Sequence, residues 1–373
     1  MSIRTFKYRL LPTRHQVEIL ECHLALCCEL YNAALQERRD AWRLNRKTVS
    51  FKSQSAQLPK IKAERPDVNE VYSQVLQDVL HRIDKAYSAF FRRVKRKEKP
   101  GFPRFRSRAR YDSLTYPQIG FSIEERHLKL SKIGSLKIEV HRLIEGTIKR
   151  LTIKREAGRW FALFVCEVEP NPLSFTAKTV GIDVGLSTFA TLSTGESIEN
   201  PRWYRNNQQA LRVAQRRVAR RKKGSSRRRK AVLLLQRAHV LIRNQRADFH
   251  HKLSRELVNE NGLIAVEDLN VKGLAGGMLA KSVNDAGWSN FINMLAYKAE
   301  SAGRILIKVD PRGTSQTCTC GATVRKTLAD RWHLCLSCGL SANRDHVSAQ
   351  VILAKAGTLP SSVNVEDLIS CVA

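Results

Sequence analysis

Apolar residues along this chain recur at two spacings, and the switches between them divide it into segments. RTFKYRLL, residues 4–11, alternates basic and apolar side chains, the period of a strand. From Thr13, the segment TRHQVEILECHLALCCELYNAALQERRDAW carries apolar positions three and four apart without Gly or Pro, which predicts a long helix. A polar stretch punctuated by prolines follows. EVYSQVLQDVLHRIDKAYSAFFRRVKRKEK then resumes the helical period until PGFPRFRSR breaks it. Between about 112 and 170 the pattern returns to short alternating runs, and LTIKREAGRWFALFVCEVEP predicts two strands joined at Ala157-Gly158. The first half therefore predicts a helical insert within a β-rich module.

The second half alternates strands and helices. TVGIDVG is a short apolar strand bounded by glycines, with TFATLSTG as its hairpin partner. Residues 204–260 are helical, interrupted at GSS. LIAVEDL predicts a buried strand, WSNFINMLAYKAESAG a helix ending at Gly303, RILIKVD a further strand, and residues 344–355 a final helix. This order predicts an α/β domain with a mixed sheet.

Charge changes the picture. The 373 residues contain 65 Lys and Arg against 34 Asp and Glu, a formal net charge of +31. Self-repulsion of that size opposes compaction unless a polyanion neutralises it, and nucleic acid is the leading partner. The basic residues are spread along the chain instead of clustering beside an apolar segment, which argues against a membrane surface. No apolar run is long enough to span a bilayer, and the start is too polar for a secretory signal. A cytoplasmic, reducing location is expected, so the spacing of the nine cysteines points to metal sooner than to disulfides. Cys22, Cys27, Cys28 and Cys166 are expected in the core and Cys371 on a frayed tail. Cys318, Cys320, Cys335 and Cys338 have ligand-like spacing and suit one tetrahedral, structural Zn²⁺. The first pair is separated by one residue and the second by two, so the first turn is expected to be strained. His333 stands near enough to replace a cysteine, and a metal-free degenerate finger is the alternative.

Three acids occupy costly places. Asp183 lies inside an apolar strand, Glu267 ends another, and Asp345 opens the last helix. Each alone reads as a local salt bridge, a strand edge or a helix cap. Together they would repel one another unless a cation sat among them. Hard Mg²⁺ fits oxygen ligands, and two such ions could clamp the attacking and leaving oxygens of a phosphodiester.

GIDVGLSTFATLSTGE, IAVEDLNVKGL, PRGTSQTC and NRDHVSA, in this order and spacing, together resemble the TnpB family, transposon-encoded RNA-guided DNA nucleases related to type V CRISPR effectors. RTFKYRLLPTRHQ and GFPRFRSRARYDSLTYPQ are also similar to it, so the resemblance covers nearly the whole chain. It implies an α/β RNase H-like (RuvC) nuclease domain at 177–373, with a zinc ribbon inserted at about 313–341 and a tail at 357–373 that is expected to be disordered. It further implies a split β-barrel (wedge) module at 1–10 and 106–176, with a helical recognition insert at 11–105. Asp183, Glu267 and Asp345 would be the catalytic triad holding two Mg²⁺, for which Mn²⁺ can substitute. The implied partners are a guide RNA from the transposon end and target double-stranded DNA beside a short flanking motif, in a prokaryotic cytoplasm and at the nucleoid when bound to DNA; the oligomeric state stays open, with a monomer preferred over an oligomer. A heteroduplex of roughly 20 base pairs carries about 40 phosphates, which accounts for the charge. The chain departs from the family after NRD, where Val347 and Ser348 replace the usual residues, and at the shortened Cys318/Cys320 pair.

Two basic stretches are candidate nucleic-acid contacts. Residues 212–230 hold eleven Lys and Arg out of nineteen and no acids; Arg216, Arg217, Arg220, Arg221, Arg227 and Arg228 are the candidates there. In the second stretch the candidates are Arg104, Arg106, Arg108, Tyr116 and Gln118. Phe91, Phe102 and Phe105 nearby read either as core or as stacking platforms. The rivals are an RNA-guided repressor that binds without cutting, a RuvC-like resolvase or strand-transferring transposase, and a zinc-ribbon binder without catalysis.

Overall fold

The computed structural model describes residues 2–327 and 330–357, which divide after Val168 into two compact units. In the first, β1 (Ser2–Leu11) leads into α1 (Arg14–Asn45), α2 (Phe51–Ala56), α3 (Leu58–Glu64) and α4 (Ser73–Lys95). Six strands follow: β2 (Ser113–Tyr116), β3 (Phe121–Glu124), β4 (His127–Leu130), β5 (Gly134–Glu139), β6 (Thr147–Glu156) and β7 (Arg159–Val168). The strands form one antiparallel sheet in the order β2-β6-β7-β1-β5-β4-β3. β1 buries Phe6, Tyr8 and Leu10 while Lys7 and Arg9 stay partly exposed, as its alternation predicts. Thr13 caps α1 by accepting from the Gln16 N–H, and the Gln16 side chain returns to the Thr13 N–H. Leu20, Leu24 and Leu35 of α1 and Leu76, Leu80 and Ile83 of α4 join Tyr8, Leu151 and Phe164 of the sheet in one core. Each such side chain contributes roughly 1.5–3 kcal/mol through burial. The β6–β7 turn passes through Ala157 (φ 49°) and Gly158 (φ 74°), the expected junction.

Two expectations are corrected. The proline-rich stretch contains α2, α3 and a 3₁₀ turn at Pro66–Glu70; their burial hangs on single residues such as Gln54, Leu58 and Val68, too few to show a period. Cys22 is exposed, because it lies on the face of α1 turned from the core, whereas Cys27, Cys28 and Cys166 are buried. Cys371 and the tail beyond Gly357 lie outside the described residues.

The second unit is built from β8 (Thr179–Val184), β9 (Thr188–Leu192), β10 (Ser197–Glu199), α5 (Trp203–Asn206), α6 (Gln208–Ala219), α7 (Ser226–Glu260), β11 (Leu263–Glu267), α8 (Val271–Leu274), α9 (Ala280–Ala286), α10 (Trp288–Ser301), β12 (Ile305–Val309), β13 (Trp332–Leu334), β14 (Ser341–Asn343) and α11 (Arg344–Gly357). Its main sheet has the order β10-β9-β8-β11-β12. β8, β11 and β12 run parallel, while β9 and β10 are antiparallel neighbours. This mixed order, 3-2-1-4-5 by appearance in the chain, is the RNase H-like arrangement. Phe189, Val266, Phe291 and Leu295 fill one face with α7 and α10; Leu263, Ala265 and Val309 meet Ile352 and Ala356 of α11 on the other. Covered on both faces, β11 is apolar throughout except for its last residue. β13 and β14 form a separate hairpin between β12 and α11. Among the described residues no helix is long and apolar enough to cross a membrane.

Candidate active site

The parallel register of β8 and β11 sets Ile182 opposite Val266. One residue on, Asp183 and Glu267 stand level at the carboxyl ends of adjacent strands, the end where open α/β sheets bind ligands. The third acid arrives on α11, which lies flush against β8 because Gly181 has no side chain. A Cβ there would stand 2.1 Å from the Ala349 carbonyl oxygen and 2.9 Å from Leu353 Cβ. Asp345 is one helical turn before Ala349, in the first turn of α11. Val347, the departure from the family pattern, is 1% exposed and faces the packed side of that helix, so its apolar side chain suits its place.

Electrostatics tie the three acids together. Burial lifts the Asp183 carboxyl well above the usual aspartate range; the charges of Glu267 and Asp345 push the same way, and the Arg344 guanidinium opposes them. Burial also raises Glu267, against the Thr314 hydroxyl and the Lys355 ammonium. Thr314 Oγ1 lies 2.5 Å from Glu267 Oε1 and 2.9 Å from the Pro311 carbonyl. Arg344 donates from Nε and Nη2 to Asp345 Oδ1 at 3.1 and 3.0 Å, and Arg331 Nη1 is 3.9 Å from Oδ2. Sequence reading assigned no role to Thr314, Arg331 or Arg344. The available signal was a hydroxyl in PRGTSQTC just past a strand end, and an arginine beside an acid in NRD. Hard oxygen donors whose charges destabilise one another fit a hard divalent cation.

The four thiols form a tighter cluster. Cys318 Sγ is 3.6 Å from Cys338 Sγ, Cys320 Sγ is 3.7 Å from Cys335 Sγ, and all four lie within 4.8 Å of one another. Among the described residues no other group of three or more His, Cys or acidic ligands converges so closely. The two turns differ in length. At the second pair the Gly339 N–H closes on the Cys335 carbonyl, four residues back; at the first the Gly321 N–H closes on Cys318, three residues back. Gly321 (φ 88°) and Gly339 (φ 75°) both take the left-handed conformation that ends such turns. A tighter turn thus absorbs the missing spacer residue. Backbone N–H groups of Cys338 and Ser337 help draw the Cys335 thiol down to about 6, while the neighbouring thiols push Cys338 up, so the first thiolate of the cluster forms at Cys335. His333 is buried, with Nδ1 accepting from Lys326 Nζ at 2.5 Å, and is not among the clustered ligands.

The candidate nucleic-acid contacts divide. Arg216, Arg217, Arg220, Arg221 and Arg227 are exposed along α6, the turn after it and the start of α7. Arg228 instead donates to the carbonyls of Val218 and Arg221, bracing the end of α6. Arg104, Arg106, Arg108 and Gln118 are exposed. Arg108 pairs with Glu29, and the Arg106 guanidinium lies over the Tyr31 ring. Tyr116 is corrected: it is 1% exposed, its hydroxyl donates to the Ser131 carbonyl and its ring stacks on Tyr72, so it belongs to the core. Phe91, Phe102 and Phe105 are exposed, which removes the core reading.

An RNase H-like sheet with acids at two neighbouring strand ends and a third on the helix packed against them is the arrangement of a RuvC-type nuclease fold. Residues 163–277 match the family described as "Probable transposase", 288–352 the "Cas12f1-like, TNB domain", and 1–47 a "Helix-turn-helix domain". The chain is 37% identical, over 94% of its length and 89% of the relative's, to a "Putative RNA-guided DNA endonuclease" of Streptomyces pristinaespiralis. It is 30% identical, over 94% of its length and 92% of the relative's, to "Putative RNA-guided DNA endonuclease InsQ" of Escherichia coli (strain K12). It is 26% identical to "CRISPR-associated endodeoxyribonuclease Cas12f1" of Sulfoacidibacillus thermotolerans, over 52% of its length and 50% of that protein's. The chain belongs to the TnpB family, related to type V CRISPR effectors.

Proposed function

We propose that the protein is an RNA-guided DNA endonuclease of transposon origin, cutting double-stranded DNA beside a short flanking motif. The observation that carries this reading is the placement of Asp183 and Glu267 at neighbouring strand ends with Asp345 on the helix packed against them, near enough that both charges add to burial in raising the Asp183 carboxyl. Relatives named as RNA-guided DNA endonucleases, matched over 94% of this chain, supply the guide RNA and the DNA. Asp183, Glu267 and Asp345 would hold two Mg²⁺. When bound, such cations would supply an activated water and charge stabilisation for phosphodiester hydrolysis. Around them the protein's task is positional. The ends of β8 and β11 hold two carboxylates level, and α11 carries the third in against β8.

In the first unit, the seven-stranded sheet corresponds to the split wedge module at 1–10 and 106–176. Its edge strands β2 and β3 approach through Tyr116 and Phe121, whose rings are 6.5 Å apart, which supports a barrel-like curvature. The helices between them form the recognition insert at 11–105. The nuclease domain is assigned to 177–373, with one structural Zn²⁺ on the four cysteines.

Co-expression with the RNA flanking the gene, sequencing of the co-purified RNA and cleavage of a randomised-flank plasmid library test the reading. Cutting should need the RNA and Mg²⁺ or Mn²⁺, and cease with EDTA. Asp183→Asn, Glu267→Gln and Asp345→Asn should each abolish cutting and leave binding to matched DNA. Wild-type protein that binds the target without cutting under any flank would establish an RNA-guided repressor instead.

A further inference from the structure

We propose that a cleft between the distal halves of α1 and α4 receives an unpaired nucleobase of the guide RNA, a binding site beyond the active centre. The inference rests on the RNA-guided reading above. The cleft measures about 770 Å³, and Trp42, Tyr87, Phe90, Phe91 and Phe102 form its aromatic lining. These are not core side chains left slightly open. Trp42 is 55% exposed, Phe91 61% and Phe102 46%. A cluster of exposed rings on a protein this polar marks a surface that is covered in use.

The cleft is preformed. Past the end of α4 the chain reverses through Lys97 (φ 53°) and brings Phe102 back edge-on to Tyr87 and Phe90, with centroids 5.6 and 5.3 Å away. Phe91 stacks on Tyr87 at 27°. Arg38 lies over the Tyr87 ring, and its guanidinium is fixed by Gln54 at 2.9 Å and Asp84 at 3.2 Å. At the other wall α1 ends at Arg46 in the left-handed conformation, and the Arg46 guanidinium lies over the Trp42 ring.

Charge selects the occupant. Asp84 is paired with Arg38, and Asp40 with Arg43 at 3.6 Å, so both acids at the cleft are already matched. Arg39 and Lys47 line the same cleft, and exposed Arg96, Lys97 and Lys99 stand on the reversing segment that leads to Phe102. Aromatic faces within a cationic rim suit a planar base whose own phosphates reach the rim; stacking tolerates any base because every base has a π-face. A cationic or purely apolar ligand would leave the rim unmatched. RNA is favoured over target DNA because folded RNA offers unstacked bases in loops and bulges before any target is engaged, whereas the target arrives as a duplex and frees bases only after strand displacement.

The test is ultraviolet crosslinking with mass spectrometry on the protein co-purified with its guide RNA, before and after target DNA is added. RNA adducts at Trp42, Phe91 or Phe102 are expected without DNA. The double variant Trp42→Ala/Phe91→Ala should bind the RNA roughly tenfold more weakly, as loss of one stacked base implies. Trp42→Phe/Phe91→Tyr should restore binding, and circular dichroism should show all three proteins equally folded. RNA retained with unchanged affinity and no adduct at these rings would overturn the inference alone. Adducts that form only with the DNA strand would overturn the assignment to RNA. Failure of the wild-type protein to retain any RNA would overturn both this inference and the function on which it rests.

Discussion

The hydroxyl of Thr314 sits 2.5 Å from Oε1 of Glu267, and it lies only four residues before Cys318 on the segment entering the four-cysteine cluster. The threonine is 2% exposed, so water cannot replace it. One carboxylate oxygen is thereby held, which sets the direction the other can face. Thr314→Val keeps the shape and removes the donor. The Mg²⁺ concentration for half-maximal cleavage should rise roughly tenfold, the usual cost of losing a partner behind a metal ligand. Thr314→Ser should restore it. Mn²⁺ binding to the uncut complex, followed by electron paramagnetic resonance, should shift in parallel; an unchanged midpoint would remove Thr314 from the positioning of Glu267.

The ribbon leaves the same site on its other side, because Arg331 and Arg344 both reach Asp345. Losing zinc should therefore loosen the active centre from a distance. Cys335→Ser or Cys338→Ser should abolish the one zinc per chain measured by atomic absorption, lower the melting temperature and raise the Mg²⁺ requirement. The same metal content in wild type and variants would contradict a four-thiolate site.

Gly181 decides how closely α11 approaches β8. Gly181→Ala places a methyl 2.1 Å from a backbone oxygen, which cannot move without its helix. The expected cost is roughly 1–3 kcal/mol of stability, as for overpacked cores. Cleavage should fall further than binding, since the displaced helix carries Asp345. Thermal unfolding and single-turnover cutting separate the two effects.

Asp183 gives the metal-free protein an inverted pH response. Its folded-state pKa is raised by burial and by Glu267 and Asp345, so in the window above the ordinary aspartate value the folded protein binds the extra proton. The stability this contributes is present at low pH and is lost as pH rises through the raised value. Without divalent metal, the melting temperature of wild type relative to Asp183→Asn should fall across that window. Saturating Mg²⁺ should cancel the fall, because a bound cation stabilises the ionised carboxylate. A flat difference between the two proteins would show that neither burial nor the neighbouring acids raise the Asp183 carboxyl.

Much of this was legible in local patterns. The period-two run of β1, the uninterrupted helix from Thr13, the Ala157-Gly158 turn and the apolar strands ending in Asp183 and Glu267 each follow from spacing and turn chemistry within a few residues. Short α2 and α3 escaped because their burial depends on single side chains. Tyr116 misled because a tyrosine beside a basic stretch has the same local pattern whether it faces solvent or stacks beneath Tyr72.

By itself, then, the amino-acid order determined the longer elements, the charge, and the positions along the chain of the four thiols and the three acids. These are properties of neighbours in the chain, where period and composition act. Tertiary structure alone decided that Asp183 and Glu267 stand level, that the missing glycine side chain lets α11 bring in Asp345, and that Thr314 reaches across 47 positions to hold a carboxylate. Strand register and helix packing are set by the fit of surfaces far apart in sequence, and no local pattern records them.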